Sequence, residues 1–276
     1  MHTNKDHAYL RRFGTRSTQL IALLCGDIFP FYYVSEFPRS GGTWLSYMVS
    51  EYLDIPKPHQ PLFTVLRSSV IQNHWGYSER LKRAIYLHRD GRDVCISHFY
   101  YVLRGLNDES SGVRDYYTTR FPEITEAHGG LELNSQHLPQ FIEKWAERPI
   151  GCRIPWGEHV TPWVAEGTHC INVSYEDLNL DGMKTLTKVL EALTGEKVDR
   201  QRLQSIMDNH SFEKRSGRSP GTEDKTSFMR KGIVGDWKNY FNRESGEIFN
   251  HHFGDVLLQL GYEESTNWCA KLPDRL

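Results

Sequence analysis

The sequence predicts one α/β domain built on a roughly five-stranded parallel sheet flanked by helices. Runs of β-branched and aromatic residues alternate with helical patterns, an order typical of parallel sheets covered on both faces. No linker or composition change divides the 276 residues, so a single domain over residues 1–276 is expected. With 38% hydrophobic and 25% charged residues, the composition excludes collagen-like, low-complexity and wholly disordered chains.

The strands and helices are predicted from hydrophobic periodicity and from the turn residues that bound each run. Residues 105–150 between them have no clear strand, and a mostly helical or mobile excursion from the sheet is predicted over residues 105–165. Residues 213–229 are predicted to be a polar loop. The predicted strands are 31–37, 70–73, 84–88 and 169–174, and the predicted helices are 43–53, 92–103, 182–193 and 244–260.

Charge and cysteine content indicate which partners and which cellular location to expect. The net charge of −2 gives no general attraction to nucleic acids or to membranes, so no nucleic-acid partner is expected. The apolar run Leu20–Cys25 is too short to span a membrane. The five cysteines are odd in number and widely spaced, which favours neither a disulfide framework nor a zinc cluster. A reducing, cytoplasmic location is therefore expected.

The first chemical signal is the turn of residues 37–44, Phe-Pro-Arg-Ser-Gly-Gly-Thr-Trp, between a predicted strand and helix. In such a turn, backbone N–H groups and the positive end of the helix dipole can hold a phosphate or sulfate. The turn lacks the leading glycine and the lysine of the nucleotide-triphosphatase loop, which disfavours a metal-dependent triphosphatase. Taken alone, it is equally compatible with an ordinary tight turn.

Two further segments carry positive charge. In residues 87–97, Arg89 and Ser97 could bind one phosphate, because an arginine fork and a hydroxyl suit a terminal phosphate dianion. Arg92 and Asp93 in the same segment are predicted to form a surface ion pair. In residues 227–241, an Arg-Lys-Gly triplet makes a compact cationic cap, although a solvated basic face would be favoured if this segment stood alone.

Together, the three segments resemble the sulfotransferases that use 3′-phosphoadenosine 5′-phosphosulfate (PAPS). The resemblance extends from about Phe31 to Phe241 and is most specific where Arg-Lys-Gly is followed by Gly-Asp-Trp-Lys. It implies a P-loop-like α/β fold, PAPS as co-substrate, no metal, and transfer of a sulfuryl group to a hydroxyl of a small-molecule or glycan acceptor. It also implies that the excursion of residues 105–165 contains the acceptor site.

The resemblance implies a set of donor-binding residues. The 5′-phosphosulfate loop corresponds to Arg39, Ser40, Gly41, Gly42, Thr43 and Trp44. The 3′-phosphate residues correspond to Arg89, Ser97, Arg230, Lys231 and Gly232. Adenine contacts correspond to Trp44, Phe212 and Tyr175, and stacking on aromatic rings is suited to a purine.

The resemblance also implies the catalytic residues, with departures from the family pattern. Arg39 replaces the usual loop lysine, and because arginine stays protonated, it is predicted to act electrostatically on the leaving phosphate. His74 is the predicted base, although Gln72 and Asn73 replace the lysine and threonine that precede the family's histidine. His98 and His88 are the reserve candidates for the base.

Two other functions stay open at this point. An ATP-dependent phosphotransferase shares the strand–loop–helix start but has no use for a 3′-phosphate clamp. A non-catalytic PAPS- or PAP-binding protein, where PAP is the 3′,5′-bisphosphate product, is favoured by the departures at Arg39, Gln72 and Asn73. The oligomeric state is also open. Aromatic residues of the variable region could contact an acceptor or form core, and core is the expectation for most of them: Tyr100, Tyr101, Tyr116, Tyr117, Phe121, Trp145, Trp156 and Trp163.

Overall fold

The computed structural model describes residues 3–26, 28–29, 31–58, 67–122, 124 and 137–275, without the side chains of 3–12 and 111. Residues 125–136 of the predicted excursion lie outside the described residues. The elements are α1 (Thr3–Cys25), β1 (Phe31–Glu36), α2 (Gly42–Leu53), β2 (Ser69–Asn73), β3 (Ala84–His88), α3 (Gly91–Leu106), α4 (Ser111–Arg120), α5 (Leu138–Glu147), α6 (Trp156–Val164), β4 (Ile171–Ser174), α7 (Tyr175–Leu180), α8 (Gly182–Thr194), α9 (Arg200–Asn209), α10 (Phe212–Ser216) and α11 (Arg243–Gln259), with 3₁₀ helices at Asp236–Asn239 and Thr266–Lys271.

The chain divides into two compact units. Unit 1 comprises Met1–His88 and Pro162–Ser211, and unit 2 comprises Arg89–Thr161 and Phe212–Leu276. The single domain over residues 1–276 stays a prediction. No helix in the described ranges is long and apolar enough to cross a bilayer.

Unit 1 is built on a parallel sheet in the order β2-β1-β3-β4. The register pairs Val34 of β1 with Gln72 of β2 and with Ile85 of β3. The predicted α/β class with a parallel sheet is therefore confirmed, with four strands in the described residues instead of roughly five. These four are the runs that the sequence predicted, each within two residues of its predicted bounds.

The sheet of unit 1 has an aliphatic face and an aromatic face, because successive strand residues point to opposite sides. On one side, Ile85 and Leu87 of β3 join a buried cluster to which α2, α8 and α9 contribute. On the other side, the ring of Tyr86 stacks on Trp163, with centroids 4.9 Å apart and planes 5° from parallel. The Trp163 indole N–H donates to the Trp75 carbonyl at 3.2 Å.

Unit 2 has an aromatic core. Trp145 and Trp156 both pack edge-on against Phe253 of α11, each with ring centroids 5.5 Å apart. Phe121 is also completely buried. Most of the aromatic residues of the variable region are therefore core, as expected, whereas Tyr116 is 51% exposed.

Candidate functional site

The turn between β1 and α2 has a backbone suited to an anion. Arg39 and Gly41 both lie in the left-handed region, with φ of 74° and 103°. The Ser40 N–H donates to the Phe37 carbonyl at 3.2 Å, which closes the turn. Gly41 is the N-cap of α2 and provides no side-chain cap, so the first turn of the helix must find other hydrogen-bond acceptors.

A carboxylate from the preceding strand meets the start of α2. Glu36, the last residue of β1, accepts a hydrogen bond from the Gly42 N–H through one oxygen and from the Gln72 amide at 2.8 Å through the other. A Cβ on Gly42 would overlap this carboxylate. Glu36 was not predicted as a site residue, and its signal in the sequence is a charged residue that ends a mostly apolar and aromatic strand.

Two aromatic residues border the turn. A Cβ on Gly41 would lie 2.7 Å from the Tyr175 ring, so the glycine lets this ring rest against the backbone. The Trp44 and Tyr175 rings meet edge-on with centroids 6.0 Å apart, and the Trp44 indole donates to the His210 carbonyl at 2.9 Å. The structure thus brings Tyr175 against the turn and Trp44, although these predicted site residues are far apart in the sequence.

Ser40 supports the fit of this turn to a ligand with anionic oxygens. Its side chain is fully buried, and its hydroxyl has no hydrogen-bond partner within the part of the chain that the structure describes. A buried hydroxyl without a partner is costly, and a phosphate or sulfate oxygen would satisfy it.

His74 lies next to the same turn, directly after β2. Its Nδ1 is 3.1 Å from the Glu36 carbonyl oxygen. Because a carbonyl only accepts, Nδ1 carries the hydrogen in this bond and Nε2 of the neutral ring has the free lone pair. This tautomer can accept a proton, which is what the predicted base requires.

The surroundings of the two reserve candidates are less suited to a base than those of His74. His98 is buried, and the Trp145 indole N–H donates to its Nδ1 at 3.1 Å. His88 ends β3, where burial, partly opposed by the charge of Asp177, lowers its pKa to about 4. A ring that stays neutral to this pH is a weak base at neutral pH.

The lowered pKa of His88 makes stability depend on pH. As the pH falls, His88 of the unfolded chain takes up a proton near pH 6.5, whereas in the folded chain it does so only near pH 4. The free energy of unfolding is therefore expected to fall by up to about 3 kcal/mol as the pH is lowered from 6.5 to 4. Urea unfolding of wild type and His88→Gln at several pH values measures this contribution. An equal slope for both proteins would show that His88 does not titrate in this way.

In unit 2, Arg89 and Asp93 hold residues 230–237, here called the late loop, beside the start of α3. The Arg89 guanidinium donates to the Ile233 carbonyl at 3.3 Å and lies 3.5 Å from the Asp93 carboxylate. Asp93 in turn accepts from the N–H groups of Gly235 and Trp237 at 2.8 and 2.9 Å. The loop that carries the Arg-Lys-Gly triplet is therefore tied to the segment that carries Arg89.

The predicted surface ion pair between Arg92 and Asp93 is wrong. Arg92 is 2% exposed, bonds Asp90 and Glu263, and lies over the Trp237 ring at 3.8 Å. Asp93 is equally buried and faces Arg89 and the late loop. Neighbouring residues on a helix point about 100° apart, so these two side chains cannot meet on one surface.

The cationic cap is an ordered cluster and not a solvated basic face. Arg230 and Lys231 both donate to Asp236, Lys231 at 2.7 Å, and Arg230 also donates to Glu223. The Arg230 guanidinium lies over the Tyr100 ring at 4.4 Å. Although burial lowers the pKa of both cations, Asp236 raises it more, so both stay charged.

Phe212 lies against the triplet's glycine. Gly232 has a φ of 66°, and a Cβ at this position would overlap the Phe212 ring. Ser97 lies two turns into α3, on its partly buried side.

Unit 2 thus gathers Arg89, Phe212, Arg230, Lys231 and Gly232 on joined segments, and unit 1 gathers Arg39 to Trp44, His74 and Tyr175. No group of three or more His, Cys, Asp and Glu side chains in the described ranges could hold a metal ion.

Comparison with known proteins gives the family. The family described as "Sulfotransferase domain" matches residues 79–261, more than half of the chain. Sulfotransferase 1E1 from Mus musculus is 24% identical over 271 residues, covering 80% of this chain and 81% of the relative. Sulfotransferase 1C2 from Homo sapiens is 32% identical over 149 residues, which are 49% of each chain.

Solved structures share the fold. Mouse sulfotransferase SULT7A1, complexed with PAP, matches with a TM-score of 0.62 and 20% identity, over 86% of this chain and 89% of that one. Retinol dehydratase in a complex with retinol and PAP matches with a TM-score of 0.56 and 18% identity, over 88% and 86%. The P-loop-like fold expected from the resemblance is therefore confirmed. The chain belongs to the sulfotransferase family, and its predicted identity as a PAPS-dependent sulfotransferase is confirmed.

Proposed function

We propose that this sulfotransferase moves a sulfuryl group from PAPS to a hydroxyl of a small-molecule or glycan acceptor, with His74 as the base. The acceptor oxygen forms a bond to sulfur as the bond from sulfur to the 5′-phosphate oxygen breaks. The acceptor proton goes to Nε2 of His74, and PAP leaves with the electron pair of the broken bond. The position of His74, with its Nδ1 hydrogen held by the Glu36 carbonyl beside the turn, carries this proposal.

The site residues of unit 1 and those of unit 2 have different proposed roles in donor binding. The turn Arg39 to Trp44 would bind the 5′-phosphosulfate, and the unsatisfied Ser40 hydroxyl supports this role. Arg89, Ser97 and the triplet Arg230 to Gly232 would bind the 3′-phosphate, a role supported by their charge and by their fixed loop. Trp44, Tyr175 and Phe212 would contact the adenine.

The acceptor is proposed as a class. Two neighbouring structures are of retinol dehydratase, one in a complex with retinol and the other with androsterone. These ligands favour an apolar small molecule with one hydroxyl as acceptor, and the exposed ring of Tyr116 in α4 is available to contact it. A glycan is the second acceptor class. A cytoplasmic location is proposed on the odd number and wide spacing of the cysteines.

The experiment is transfer from PAPS to a mixed panel of phenols, alcohols and glycans, detected as a mass gain of about 80 Da for one SO₃ group on a hydroxyl. Thermal shifts with PAP and with ATP are measured in parallel. We expect stabilisation by PAP and at least one sulfated product. PAP binding without any product would favour the non-catalytic binding protein, and stronger stabilisation by ATP would favour a phosphotransferase.

A further inference from the structure

The Glu36 carboxylate occupies the end of helix α2 to which a donor phosphosulfate would bind. We infer that Glu36 is a donor-affinity residue: in the ligand-free protein its carboxylate holds the Gly42 N–H, and the 5′-anion of the nucleotide must displace it. This inference rests on the proposed function, because it concerns the same donor loop.

The contacts of Glu36 show how closely the carboxylate is held. One oxygen accepts from the Gly42 N–H and the other accepts from the Gln72 amide at 2.8 Å. Glu36 is only 2% exposed. Gly42 provides the space, since any Cβ there would overlap the carboxylate.

The charge balance around Glu36 explains why a donor would compete with it. Within the described part of the chain, both groups that donate to its carboxylate are neutral amides. A helix N-terminus stabilises one anion, and a single N–H can serve only one strong acceptor. Two anions at one buried amide repel each other strongly. Binding of a 5′-phosphate therefore requires the carboxylate to leave Gly42.

This competition has consequences for donor binding and for product release. It lowers the affinity for any nucleotide with an anion at the 5′ position, and it leaves the affinity for the 3′-phosphate unchanged. Because PAP keeps its 5′-phosphate, the returning carboxylate also favours its release. Glu36 therefore sets the affinity of the loop without contributing to the chemical step.

The test compares two nucleotides by calorimetry. PAP carries both phosphates, and adenosine 3′-monophosphate lacks the 5′-phosphate. Glu36→Gln, which keeps the size but removes the charge, is expected to bind PAP at least about tenfold more tightly than wild type, with adenosine 3′-monophosphate changed by less than about twofold. Glu51→Gln is the matched control, because this carboxylate lies near the other end of α2 and bonds His210 instead of the N–H groups of the first turn. It should change neither affinity.

Each result separates the inference from the proposed function. An equal gain for both nucleotides, an unchanged PAP affinity, or weaker PAP binding by Glu36→Gln would overturn the role of Glu36. If Glu36→Gln does not fold, Glu36→Ala must give the same selective gain, and a loss would overturn the role. Failure of the wild-type protein to bind PAP would overturn the proposed function and, with it, this inference.

Discussion

Replacing His74 with alanine is expected to lower kcat for sulfuryl transfer by about 10²- to 10⁴-fold and to leave the affinity for PAP within about threefold of wild type. The acceptor hydroxyl must lose its proton as it attacks sulfur, and Nε2 of His74 is the acceptor for that proton. The hydrogen bond from Nδ1 to the Glu36 carbonyl fixes the ring in the competent tautomer.

Two measurements separate this role from a structural one. The loss of activity in His74→Ala should fall on kcat, because the base acts in the chemical step. PAP binding, measured by calorimetry, should persist. His251→Ala is the control, since His251 lies exposed on α11 and should behave as wild type. A variant that loses PAP binding together with activity would remove His74 from the role of base.

The sequence predicted the sheet well because its strands end in recognisable turns. Ala84–His88 is predicted and observed with the same bounds, since the buried run is followed by the charged start of α3. Helices α2, α3, α8 and α11 are likewise predicted within three residues of each end. In these elements hydrophobic period, caps and turn residues agree with one another.

Helix α1 was not predicted, and its residue pattern explains why. The buried positions Gly14, Thr18 and Ala22 are small, whereas Leu20 and Leu24 are more than half exposed. An amphipathic helix is identified by large apolar residues on its buried face. Here the large apolar residues Phe13, Leu20 and Leu24 are exposed, so the helical period gives no usable signal.

Candidate site residues can be predicted from the sequence where they form a local motif. A contact cannot be predicted in this way when the partner residue comes from another segment of the chain. The turn Arg39 to Trp44 is visible as a motif, whereas the partner of its Gly42 N–H is a strand residue. The buried positions of Arg92 and Asp93 depend on Glu263 and on the late loop, far away in sequence. Local spacing cannot identify such partners.

Arg39→Ala is expected to lower kcat by about 10²- to 10³-fold, the loss typical for removal of a donor to a developing negative charge. As the bond from sulfur to the 5′-phosphate breaks, charge grows on the bridging oxygen, and a guanidinium beside it stabilises the transition state. Arginine stays protonated, so it supplies charge and hydrogen bonds but no proton. Arg39 is partly buried at the apex of the turn, where burial strengthens its electrostatic effect.

Alanine is the right substitution because it leaves the backbone strain at position 39 unchanged. Arg39 has a φ of 74°, and the Cβ of alanine meets the same strain there, so the loss reports the guanidinium. Arg39→Lys keeps the charge without the planar fork, and an intermediate loss of kcat is expected because fewer hydrogen bonds reach the phosphate. If Arg39→Lys matches or exceeds wild type while Arg39→Ala loses less than about tenfold, Arg39 does not stabilise the leaving phosphate.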